Sequence, residues 1–186
     1  SGQQKNKKAY FKNTRFAAYK QWESTSKWYH PDNLMLQAAL RVSYTSPKVM
    51  HWITQLLIWL TRNADSLDTE IPYYTDVINE IAKRPVRDFL DNKDYSLGVS
   101  TPHVVLNYLD FLLWRRNRNV DFDFEFRNSV EHWYPRNPSE GTFARWEDGV
   151  DRFGNLCLIQ RNINSRFSNM SPEAKKSTFK EMIEKG

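Results

Sequence analysis

The 186-residue sequence contains one cysteine, Cys157, so it has neither an internal disulfide framework nor a four-cysteine zinc site. A reducing, cytoplasmic setting is the natural expectation. No secretory leader is visible. The longest apolar stretch, residues 49–60, is broken by His51, Thr54 and Gln55 and is too short to span a bilayer, so no membrane association is expected. The phosphate-cradling pattern GxxxxGK[ST] does not occur, nor does any repeat of fixed period. Acidic residues are missing from positions 1–20, which hold six Lys or Arg. Ser1-Gly2 reads as an expression scar, with the chain a cut-out from something larger.

What is present is a sequence that folds. Hydrophobic residues make up 40% and aromatics 15%, with seven Trp, which excludes a disordered chain. The net charge of +5 is a mild pointer toward polyanions. From Arg115 onward there are thirteen basic residues, nine of them Arg, against eleven acids. Such a surface is mixed, but arginine suits bidentate contacts with phosphate.

The first two thirds read as helices separated by turns. Residues 9–22 carry apolar positions at helical spacing. His30-Pro31-Asp32 predicts a turn, with Asp32 capping a helix to about Tyr44. Ser46-Pro47 predicts a cap followed by proline at the first helical position. The next run, Met50, Trp52, Ile53, Leu56, Leu57, Trp59 and Leu60, is the strongest expected core stripe. A further helix starts near Pro72 and is ended or kinked at Pro85, and Thr101-Pro102 opens another through Leu113. Near Asn117 the pattern changes. Residues 120–127 alternate apolar and charged, the signature of a half-exposed strand. Residues 153–159 predict a second strand, residues 162–170 a short helix, and Ser171 caps a last one. The expected fold is mainly α: a helical bundle or scaffold over 1–119, then a small ββα unit over 120–186.

Among the four histidines, His30, His51 and His103 have no acid or second histidine at ligand spacing and read as ordinary surface or core residues. His132 has different company. The segments Glu131-His132-Trp133-Tyr134-Pro135, Gly154-Asn155-Leu156-Cys157-Leu158 and Asn164-Ser165-Arg166 stand in that order. This ordered set resembles the HNH (His-Me finger) nucleases. It is most similar to the C-terminal nuclease domain of GmrSD-type restriction proteins, which degrade modified phage DNA; the resemblance covers about residues 120–186.

The chemistry fits the residue types. Phosphodiester hydrolysis needs an activated water, and a neutral imidazole near its working pKa can take the proton, so His132 is the candidate general base. A hard divalent cation, Mg²⁺ or Mn²⁺, prefers oxygen ligands, which Glu131 and Asn164 can supply. Adjacent residues on a regular strand face opposite sides, so Glu131 and His132 converge only if the strand distorts or ends there. The resemblance implies that Asn155 holds the catalytic ring. Arg166, Lys175 and Lys176 are candidates for phosphate contacts. It also implies an upstream nucleotide-hydrolysing domain that this chain does not contain. The expected function is thus a divalent-metal-dependent DNA endonuclease or nickase of a restriction or phage-defence protein. The alternative is a non-catalytic nucleic-acid-binding or regulatory domain of the same ββα shape.

Overall fold

The computed structural model describes residues 31–64, 71–118, 122–139 and 143–181, with 71–73 described by their backbone. The expected helix over 9–22 and the turn residue His30 lie outside these, as do Val120 and Asp121 at the head of the expected first strand.

Helix α1 (Pro31–Ser43) lies at the centre of the helical layer. Met35, Leu36, Ala38, Ala39 and Leu40 are all buried in it, so it contacts neighbours on most of its circumference. Asp32 falls inside the first turn instead of capping it, and its carboxylate accepts a 2.6 Å bond from Arg118. After a 3₁₀ turn at Pro47–Val49 comes α2 (His51–Arg62). Ser46 makes no side-chain cap bond, contrary to the sequence expectation. The apolar stripe of α2 is also only half used: Trp52 and Leu56 are buried, whereas Leu57 is 57% exposed and Ile58 46%. Hydrophobicity alone does not say which of two adjacent apolar rows turns inward.

Helix α3 (Ile71–Asp91) continues past Pro85, so the proline, expected to end or kink it, does not end it. Ile78 and Ala82 before the proline and Phe89 after it all enter the same core. Burial on both sides outweighs the one lost N–H. Helix α4 (His103–Arg116) begins after Pro102 as expected and buries Val104, Val105, Tyr108, Phe111 and Trp114. It packs on α1 and α3. Among the described residues no helix is long and apolar enough to cross a membrane.

Residues 122–128 lie in no strand, which corrects the described part of the strand expected over 120–127. Its alternation is real: Phe122 and Phe124 meet edge to face at 4.9 Å and pack on the helical core. Arg127 at its end reaches α4, where it donates to Asn107 Oδ1 at 3.1 Å and Asp110 Oδ2 at 2.5 Å. Burial raises the Asp110 carboxyl above the usual carboxylate range despite that guanidinium.

The sheet has two strands, β1 (Ser129–His132) and β2 (Leu156–Ile159), antiparallel with Val130 opposite Leu158 and His132 opposite Leu156. Val130 and Leu158 pack on Leu106 of α4, which fastens the sheet to the helical layer. Two short helices follow, α5 (Arg161–Phe167) and α6 (Pro172–Thr178). Ile163, Phe167 and Phe179 form a small core with Trp133 and Ile159 on the other face of the sheet. Ser171 caps α6 as its sequence predicts, accepting from Ala174 N at 3.1 Å. Ser171→Ala is therefore expected to cost about 1 kcal/mol, read as a lower urea midpoint at unchanged slope; an unmoved midpoint would mean the cap contributes nothing.

Candidate active site at the end of the sheet

Strand β1 stays regular through His132, so its side chains alternate between the two faces. Ser129, Glu131 and Trp133 look toward α5 and α6. Val130 and His132 look the other way. This alternation decides the site.

On the first face, Lys175 of α6 is fully buried at 0% exposure. Its ammonium donates to Glu131 Oε1 at 2.7 Å, to His132 O at 2.6 Å and to Trp133 O at 3.1 Å. All three of its N–H donors are engaged. Lys175 was expected to contact phosphate; as placed it has no donor left and no access to solvent, and it is a strand clamp instead. Arg166 and Lys176 remain exposed, the former with its guanidinium 4.9 Å from the Phe179 ring centroid. Asn164 Nδ2 donates to Ser129 Oγ at 2.5 Å, so Asn164 lies on the Glu131 face.

On the second face, His132 is 8% exposed and its Nε2 lies 2.7 Å from Asp151 Oδ1. The other Asp151 oxygen accepts from Arg136. The Arg136 guanidinium, and after it His132, hold the Asp151 carboxyl below the usual carboxylate range, so it is an anion at neutral pH. Nδ1 of His132 makes no hydrogen bond to any described residue.

Asn155 was expected to hold the His132 ring, but it holds backbone. Its Oδ1 accepts from Tyr134 N at 2.7 Å, and its Nδ2 donates to Tyr134 O at 2.9 Å and Val150 O at 2.8 Å. Its own carbonyl accepts from Trp133 N at 2.8 Å. One buried amide thus ties the chain just after His132 to the chain just before Asp151. A groove of about 480 Å³ opens beside it, lined by Arg145, Trp146, Arg152 and Gly154. Trp146 stacks on Tyr134 with centroids 4.3 Å apart and planes 8° from parallel. Cys157 takes no part: burial first, and then the Glu131 charge, push its thiol up to about 11.

The expected metal site can be tested on these placements. Glu131 and Asn164 share one face of β1, but one Glu131 oxygen is bonded to a buried ammonium, which repels a second cation. His132 lies on the opposite face, so the imidazole and the two oxygen donors do not close on a single ion. No group of three His, Cys, Asp or Glu able to hold a metal occurs among the described residues. As arranged, this donor set does not fit a bound divalent cation.

Sequence reasoning missed Asp151, Arg136 and Gly98. Asp151 is one of three acids between positions 147 and 151, and nothing in the local pattern separates it from Glu147 and Asp148. Only the fold, which brings residues 95–98 against 151–153, marks it out.

The family of GmrSD restriction endonucleases, C-terminal domain, matches residues 83–185, more than half of the chain. The chain belongs to this family. The match begins within α3, so it takes in the end of that helix, all of α4 and the two-stranded sheet. No curated protein and no solved structure matches the chain. Membership in the GmrSD C-terminal family makes this a restriction-endonuclease-type nuclease domain, a hydrolase whose substrate is DNA.

Proposed function

We propose that β1, β2 and α5 form the ββα unit of an HNH-type nuclease and that His132 is its general base. The observation that supports this reading is the oriented imidazole: Nε2 is bonded to the Asp151 carboxylate, and Nδ1 bonds to none of the described residues. A carboxylate only accepts, so the ring proton belongs on Nε2 and the lone pair on Nδ1. In the reaction the water oxygen bonds to phosphorus, its proton passes to Nδ1 and the ester P–O bond breaks. The departing alkoxide takes its proton from solvent. Arg136, Arg145 and Arg152 lie around this end of the sheet and supply positive charge toward the phosphates, while Arg166 and Lys176 offer further contacts from α5 and α6. In this reading the chain is the cutting part of a larger restriction or phage-defence protein.

The test is conversion of supercoiled plasmid to nicked or linear forms by the purified chain. Cleavage is expected; salt-sensitive DNA binding with no cleavage under any metal would replace this reading by a non-catalytic one. Divalent-metal dependence is proposed from the family resemblance. Cleavage is expected to stop in EDTA and to return with Mg²⁺ or Mn²⁺, and undiminished cutting in EDTA would remove the requirement. A cation held by Glu131 and Asn164 also requires Glu131 to release Lys175, a rearrangement of the present contacts.

A further inference from the structure

We infer that Asp151 is the positioning residue of the His132 ring, and that position 98 is glycine because the Asp151 carboxylate needs the space. The inference rests on the reading of His132 as the base and deepens it.

Three features converge on the carboxylate. First, its two oxygens are divided between His132 Nε2, at 2.7 Å, and Arg136. The arginine prevents the carboxylate from rotating away from the ring. Second, the Asp151 main chain is tied to residues 95–98: its carbonyl accepts from Gly98 N at 3.1 Å, and two residues on, Phe153 N donates to Tyr95 O at 2.7 Å. Third, Gly98 has φ +54°, in the left-handed region, and a Cβ built there would lie 2.4 Å from Asp151 Oδ1 and 2.9 Å from Cγ. Any side chain at 98 must push the carboxylate off its place. The backbone of residues 95–98, the guanidinium of Arg136 and the backbone tie of Asn155 at Val150 thus hold one acceptor against one ring nitrogen.

A purely stabilising ion pair is the competing account, and it predicts something different. The Asp151 side chain is 28% exposed and the Arg136 side chain 53%, a setting in which ion pairs contribute little to folding. Removing the carboxylate should therefore disturb the ring far more than the fold.

Asp151→Asn keeps the shape but can present an N–H to Nε2, which favours the opposite tautomer. In the intact chain, ¹⁵N NMR of the His132 ring is expected to show Nε2–H in the wild type and a shift toward Nδ1–H in the variant. The single-turnover cleavage rate is expected to fall roughly 10–100-fold, as is usual for the partner of a functional histidine, with half-saturating DNA concentration unchanged. Gly98→Ala, which displaces the carboxylate without deleting it, should lower the rate as well. The double variant should be no worse than Asp151→Asn alone. An unchanged Nε2–H tautomer in Asp151→Asn, or a rate within twofold of wild type, overturns the inference. The tautomer is read without substrate, so it stands apart from the parent reading, which falls only if His132→Ala still cuts at the full rate.

Discussion

His132→Ala is expected to abolish most cleavage, by about 10²–10⁴-fold, the usual contribution of a positioned general base. The variant should still fold. The imidazole contributes one hydrogen bond to a partly exposed carboxylate, and Asp151 retains Arg136 when the ring is gone. Circular dichroism and the urea midpoint should therefore change far less than the rate. Added imidazole offers a sharper check. A small base diffusing into the vacated space should recover part of the lost rate, because what the mutation removes is a proton acceptor and not a scaffold. If His132→Ala cuts plasmid as fast as the parent, the base lies elsewhere and Nδ1 has no role in the chemistry. If the variant is dead and imidazole does not help, the ring acts through something other than proton transfer.

How much of this could be read in the residues depends on range. Local signals served well. Ser171 ahead of Pro172 predicted a capped helix, and that is what forms. Pro102 opens α4 where expected, and the run after Gly154 forms a strand. Family membership, too, was legible from three short segments in order. Misreadings arose where a distant partner decided the outcome. Pro85 was expected to end or kink its helix; the helix does not end there, because Ile78, Ala82 and Phe89 are buried on both sides of it. The alternation of residues 120–127 predicted a strand, but in its described part the phenylalanines join the helical core and Arg127 bonds to Asp110 and Asn107. At the site the same rule holds. Glu131, His132 and Asn155 were recognisable, but which groups they would touch was not. Period-2 alternation sends Glu131 to Lys175 and His132 to Asp151, and both partners come from segments whose sequence carries no mark of that task. A residue's type states what it can do; only the chain's path states to whom.

The Glu131–Lys175 pair leads to the second large effect. Glu131→Gln is expected to destabilise the domain by about 3–5 kcal/mol, because it leaves a buried ammonium without its counter-charge. Lys175→Met should cost a similar amount by the converse route, stranding a carboxylate and the carbonyls of His132 and Trp133. The two losses should not add. In Glu131→Leu with Lys175→Met neither charge remains, and apolar side chains of similar volume can replace a buried pair at little net cost. The double variant should therefore recover part of the urea midpoint, the carbonyls of His132 and Trp133 staying without the ammonium, and a strictly additive result would show that the two groups do not interact as placed. Cleavage by the recovered double variant then assigns Glu131. Cutting at the parental rate makes it the partner of Lys175 and nothing more, which fits the faces of β1 as they stand. A well-folded but inactive double variant gives the Glu131–Lys175 pair a task beyond holding the strand end.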